Sequence, residues 1–199
     1  MTSFGTYETI VIDFPWTVSN NLTNTRFYRC GKQMPYKMMN DEEIMEFPIN
    51  DFASERCDLF LWSITSKLPF CFKLLEYWNF KFMDFLAWDK QIGIAVNGIY
   101  RRVEWVFYAY RKKMGLKRRG HIIPSLISEK RKKHSQKPDS FYEVLRTNTP
   151  EPRIDIFARK RHFGFDAYGD EAEKHMIVPL NVTKKSRRLK NDLFLSAHS

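Results

Sequence analysis

The chain has 199 residues, a length that suits one domain with room for a tail. Apolar residues make up 43% of it, including 17 Phe, 9 Tyr and 5 Trp, which supplies a core and excludes intrinsic disorder as the overall state. The formal net charge of +10 points to a polyanionic partner, nucleic acid first, while no apolar run reaches the roughly 18 residues of a membrane span. The opening residues MTSFGTYETI lack a basic region followed by an apolar stretch, so no signal peptide is expected. Cys30, Cys57 and Cys71 are odd in number and loosely spaced, which fits neither a disulfide framework nor a zinc site. A cytoplasmic protein is the expectation.

Taken in chain order, residues 9–13 (TIVID) form a short apolar run of the kind a buried parallel strand shows. It ends at Asp13-Phe14-Pro15-Trp16, where the proline stops regular pairing. Residues 17–39 read as a long polar loop. Asn40 is placed to cap a helix from Asp41, with Glu43 as its capping-box partner. Residues 57–63 (CDLFLWS) read as a second buried strand, and residues 66–79 carry an apolar stripe at helical spacing. Strands are expected over 80–88 and 104–110, then a long basic loop over 111–136. A helix opens at Lys137-Pro138-Asp139 and runs to about Arg146. A last strand covers 153–158 (RIDIFA), and residues beyond about 180 read as a weakly ordered basic tail. Strands alternating with helices predict an α/β sheet covered on both faces, with ligands beyond the carboxyl ends of its strands.

Positive charge is concentrated in residues 111–119 (RKKMGLKRR), 130–137 (KRKKHSQK) and 184–190 (KKSRRLK). Such runs are either solvated faces or contacts to a phosphate backbone, and Lys130, Arg131, Lys132 and Lys133 are candidates for the second role. No phosphate-binding glycine loop of the G-x-x-x-x-G-K-[ST] or G-x-G-x-x-G form is present, nor an H-E-x-x-H metal motif. The positive signal is Asp13-Phe14-Pro15-Trp16. A carboxylate, a peptide oxygen in a stiff turn and an aromatic ring together suit a planar base that bears an amine. The competing reading is a strand-terminating turn with Trp16 in the core.

These residues fit a wider pattern. Asp13-Phe14-Pro15-Trp16 is similar to an Asp-Pro-Pro-Trp signature, with Phe14 in place of the first proline. Residues 35–44 (PYKMMNDEEI), 59–63 (LFLWS) and 101–104 (RRVE) follow in order. So do residues 134–139 (HSQKPD) with 141–143 (FYE), then 157–159 (FAR) with 164–171 (GFDAYGDE). In this set and spacing, from about residue 7 to residue 172, the chain resembles the MT-A70 family of S-adenosylmethionine-dependent adenine N6-methyltransferases. The resemblance implies a Rossmann-like methyltransferase sheet in permuted order, with the catalytic motif early and part of the cofactor site late. It implies a methyltransferase domain over 1–180, followed by a basic tail over 181–199.

The resemblance also implies roles. Asp13 and the Phe14 carbonyl hold the adenine amine in line with the methyl donor, Pro15 fixes the turn, and Trp16 stacks on the base. Asp13, Lys137, Phe157, Arg159, Gly169, Asp170 and Glu171 form the S-adenosylmethionine site. Tyr36, Arg101 and Glu104 belong to the substrate side. By residue type alone, Lys137 is equally a solvated lysine, Glu104 a strand-edge ion pair, Tyr36 a packing aromatic and Arg159 a surface arginine. The compact size points to DNA as the expected substrate and to a prokaryotic or viral setting. RNA, or a catalytically silent nucleic-acid-binding subunit, is the alternative, and either a homo- or a heterodimer is compatible.

Overall fold

The computed structural model describes residues 5–17, 38–96, 98–112, 116, 122–132 and 136–169. The axis of the fold is strand β1 (Tyr7–Ile12), whose Ile10, Val11 and Ile12 are fully buried. Burial on both faces is what an unbroken apolar run produces in a central parallel strand. β1 pairs in parallel with β2 (Ala53–Ser63) on one side and with β6 (Arg153–Ile156) on the other. Outside β2 lie β4 (Ile99–Arg111) and β3 (Lys81–Val96), both joined antiparallel, and then β5 (Leu126–Ser128). Outside β6 lies β7 (Asp166–Tyr168), again parallel. The sheet order is therefore β5-β3-β4-β2-β1-β6-β7.

This order makes β1 and β6 a switch point. The chain leaves β1 toward β2 and leaves β6 toward β7, in opposite directions across the sheet. Where crossovers diverge in this way, a crevice opens at the carboxyl ends of the strands, and that is where α/β sheets bind ligands. The half of the sheet that starts at β6 comes last in the chain, which is the permuted order expected.

Strand alternation sends side chains to two cores. Ile10, Ile12, Leu59 and Leu61 pack with Cys71, Leu74 and Leu75 of helix α2 (Leu68–Tyr77), beside the short helix α1 (Asp41–Met45). Val11, Phe60 and Trp62 point the other way, onto Phe141, Tyr142 and Leu145 of helix α3 (Asp139–Asn148). Helices thus cover both faces. Cys57 and Cys71 are buried free thiols. Among the described residues no helix is long and apolar enough to cross a membrane, and no group of metal-ligating side chains forms.

Three expectations need correction. The strands expected over 80–88 and 104–110 are the inner halves of a much longer hairpin, Lys81–Val96 with Ile99–Arg111. Past Asp89 and Val103 neither strand is registered with any other neighbour, so no buried face imposes alternation and the segment reads as loop. The basic stretch 111–136 contains strand β5, held to β3 at Ala87–Asp89. Finally, the segment after β6 returns to add β7, three half-buried residues too few to give a pattern.

The cap on α1 is the one expected. Asn40 Oδ1 accepts from the Glu43 N–H at 2.8 Å, and Glu43 Oε2 accepts from the Asn40 N–H at 2.8 Å. The same turn holds Met39, whose N–H donates to the Pro15 carbonyl at 2.8 Å, so the cap braces the segment after β1. Asn40→Ala should cost about 1 kcal/mol. For a chain of this size that lowers Tm by about 2–4 °C, measurable by thermal unfolding.

Candidate active site

Asp13 is the first residue beyond β1, and its N–H still donates to the Ile156 carbonyl of β6 at 3.3 Å. The chain then turns sharply. The Trp16 N–H donates to the Phe14 carbonyl at 2.9 Å across Pro15, whose ring fixes the intervening φ. This turn leaves the Asp13 carboxylate at the switch point, on the α3 side of the sheet with Val11.

A row of alternating charges meets it there. Lys137 Nζ lies 3.1 Å from Asp13 Oδ2 and 2.8 Å from Glu104 Oε2, and its ammonium sits 4.6 Å from the centre of the Trp62 ring. Lys90 Nζ lies 3.1 Å from the other Glu104 oxygen, Oε1. Lys137 thus places its charge between two carboxylates and over an indole face, which matches the three protons of an ammonium. Four elements contribute: the end of β1, β3, β4, and the segment that leads into α3.

Burial sets the energetics. It would push the Glu104 carboxyl up, but Lys137 and Lys90 outweigh it and hold the group at about 2. Burial opposes the charge on Lys137, yet Asp13 and Glu104 more than offset this and raise its pKa. Asp13 goes the other way. Burial raises its carboxyl above the usual range, Lys137 offsets part of that, and Glu104 adds to the rise. Behind it, Asp155 of β6 is pushed up to about 8 by burial, with a bond from the Tyr142 hydroxyl opposing the rise and the Asp13 charge adding to it. Asp155 is therefore neutral at pH 7.

The ends of β6 and β7 close the other side. Phe157 adopts a left-handed φ of 63°, and its N–H donates to the Tyr168 carbonyl at 2.5 Å. Gly169 has φ 149°, and a Cβ there would lie 2.9 Å from the Phe157 Cα, so only glycine permits the approach. Arg159, half-buried in the same turn, acts electrostatically on Asp13.

Of the residues expected from the sequence, the fold brings together Asp13, Glu104, Lys137 and Arg159. Lys137 and Glu104 are thus neither a solvated lysine nor an isolated edge pair. Trp16 is 7% exposed and packs edge-on against Phe14 at 5.5 Å and Phe70 at 6.3 Å. A large indole beside two phenyl rings gains more from burial than from an open position. Phe157 likewise turns its ring to Phe14 and Phe47. Arg101 lies further out on the hairpin, opposite Ile94. Lys130 is exposed, Arg131 donates its N–H to the Lys90 carbonyl, and Lys132 is paired with Asp139 and Glu129. Tyr36, Lys133, Asp170, Glu171, Cys30 and the tail 181–199 lie outside the described residues. The sequence reading missed Lys90 and Asp155. The available signal for Asp155 was a lone acid between Ile154 and Ile156, which a buried strand keeps only with a partner.

Phe14 stands where the signature has proline, and its ring is 2% exposed. The ring lies 5.3–5.9 Å from those of Trp16, Phe47, Trp78 and Phe157. The extra bulk therefore enters the core beneath the turn, not the crevice above it.

Sheet order and switch point define a Rossmann-like α/β fold with a crevice at the carboxyl ends of β1 and β6. The MT-A70 family model matches residues 7–171, and the chain belongs to that family. Its members are S-adenosylmethionine-dependent methyltransferases that act on the N6 amine of adenine in nucleic acid. Comparison with curated proteins finds no match. The residues present fit this donor. It carries no phosphate, and the strand ends offer no phosphate loop but carboxylates, a lysine and an arginine, which suit a sulfonium and an amino acid group.

Two measurements check this site. A carboxyl whose folded pKa exceeds its unfolded value supports the fold below the unfolded value and loses that support as pH rises through the folded one. Stability should therefore fall from about pH 5 to pH 9 through Asp155, and urea midpoints of Asp155→Asn should be flatter over that range. Phe14→Ala should cost about 3–5 kcal/mol in the same assay, because the ring's packing against its four aromatic neighbours is removed.

Proposed function

We propose that this protein methylates the N6 amine of adenine in DNA, with Asp13 as the residue that receives the amine. The observation that carries the reading is the Asp13 carboxylate at the switch point, held by Lys137 at 3.1 Å. Bound S-adenosylmethionine supplies a methyl group on a sulfonium, an electrophile toward an amine nitrogen. The protein's own part is positioning. Asp13 Oδ1 and the second lone pair of the Phe14 carbonyl accept the two amine protons, which turns the nitrogen lone pair out of the ring and toward the donor. The proton that the amine releases on methylation goes to Asp13, whose raised affinity suits it to accept one.

Arg159, Gly169, Asp170 and Glu171 are assigned to the donor. Lys137 serves Asp13 first, and the remaining donor capacity of its ammonium is assigned to the donor's carboxylate. Trp16 forms the floor of the turn. Tyr36, Arg101 and Lys130 to Lys133 are assigned to nucleic acid.

DNA is favoured by the outer part of the β3–β4 hairpin. Beyond Lys90 and Glu104 it is a two-stranded ribbon, the element a B-form major groove admits and the narrow A-form groove does not. The target adenine must leave the stack to meet Asp13. The reading goes with a cytoplasmic, prokaryotic or viral setting.

Incubating the protein and donor with DNA and with RNA, followed by mass spectrometry of the nucleosides, tests this directly. N6-methyladenine in DNA is expected; methylation of RNA alone would replace the substrate, and none in either would overturn the reading. Asp13→Ala should lower the rate about 10²- to 10³-fold with thermal unfolding little changed. Lys130→Gln with Arg131→Gln should weaken DNA binding and reduce the slope of log K against log salt by about 1 for each phosphate no longer neutralised.

A further inference from the structure

We propose that Lys90 is a positioning residue for methyl transfer, acting on Asp13 through Glu104 and Lys137. This rests on the role given above to Asp13. The row is linear: Lys90 to Glu104 Oε1 at 3.1 Å, Glu104 Oε2 to Lys137 at 2.8 Å, Lys137 to Asp13 Oδ2 at 3.1 Å. Without Lys90, one oxygen of a buried carboxylate loses its cation, and Glu104 is free to turn both oxygens onto Lys137. The ammonium is then drawn away from Asp13.

The backbone around Lys90 is built to aim it inward. Trp88 lies directly opposite Glu104, and Lys90, two residues on, shares its face. Immediately after it the register slips between Asp89 and Ile94, and Gln91 takes a left-handed φ of 56°. A non-glycine residue in that region is strained, and such strain collects at functional sites. Here it is held by specific bonds. The Gln91 N–H donates to Asp89 Oδ1 at 2.9 Å, its side-chain amide donates to Ser128 Oγ at 3.1 Å, and the Arg102 guanidinium clamps Asp89. The Lys90 carbonyl accepts from the Arg131 N–H at 3.2 Å. The slip ends regular pairing at the point where the Lys90 side chain must reach back across the sheet to Glu104.

The test uses Lys90→Met, Lys90→Arg, Glu104→Gln and the Lys90→Met/Glu104→Gln double variant in steady-state methylation of an adenine-containing DNA oligonucleotide. Lys90→Met should lower kcat about 10- to 100-fold and leave the oligonucleotide KM within about 2-fold, the pattern of a misplaced reacting group. Lys90→Arg should restore most of the loss. In the Glu104→Gln background, Lys90→Met should add nothing, because the two act in series. Additive losses, or a Lys90→Met effect confined to KM, would overturn the proposal and mark Lys90 as a phosphate contact.

A second readout needs no activity. Glu104, faced by Lys90 and Lys137 with Asp13 beyond, should stay ionised at pH 3 in the wild type by carboxyl-carbon NMR and begin to protonate there in Lys90→Met. Unchanged ionisation would also overturn the proposal. If the wild type methylates neither DNA nor RNA, the functional reading fails, while the NMR result still decides whether Lys90 holds Glu104.

Discussion

The site depends on one cation between two carboxylates. An ammonium as buried as that of Lys137 is costly to desolvate, and only close partners on more than one side make it sustainable. Asp13 and Glu104 supply those partners from two strands that are not neighbours, since β2 lies between β1 and β4. The Trp62 ring of that intervening strand fills the gap. Removing that cation takes the shared partner from both carboxylates at once, typically at about 3–5 kcal/mol. The same arrangement that orients the Asp13 carboxylate therefore ties three strands and the entry to α3 together.

Much of this was legible in the residues. The apolar run over 9–13 identified the central strand, Pro15 its end, and Asn40 with Glu43 the start of α1, because each signal is local and rests on backbone chemistry. Asp13, Lys137 and Glu104 stood out because they fall within spaced motifs. Lys90 and Asp155 did not, because a single charged residue in a strand gives no indication of which distant partner it meets. The outer ribbon escaped for a related reason. Ile92 and Ile94 are exposed there, so a strand exists without the burial pattern that betrays one. The packing of Trp16 against Phe70, far off in the chain, left no mark in the sequence around either residue.

Phe14 shows how a signature position can change without changing what the turn presents. The turn presents a peptide oxygen, which any residue carries. Proline would stiffen the turn through its own ring. Phenylalanine stiffens it from below, through four aromatic neighbours contributed by the turn itself, the segment after α1, the end of α2 and the end of β6. Precision at the site is thereby coupled to the integrity of one core, which a ring closed on its own backbone would not require.

The permuted strand order has a consequence for synthesis. β1 pairs with β6 through Thr9 and Arg153, residues near opposite ends of the described chain. A ribosome therefore emits the central strand long before its second neighbour. Until β6 follows, one flank of the most apolar segment has no native edge to lie against. Contacts this distant in sequence form slowly, and an unpaired apolar strand invites association with other chains in the interval. The Asp13 carboxylate is made along with β1, yet the crevice beside it exists only once β6 and β7 have docked.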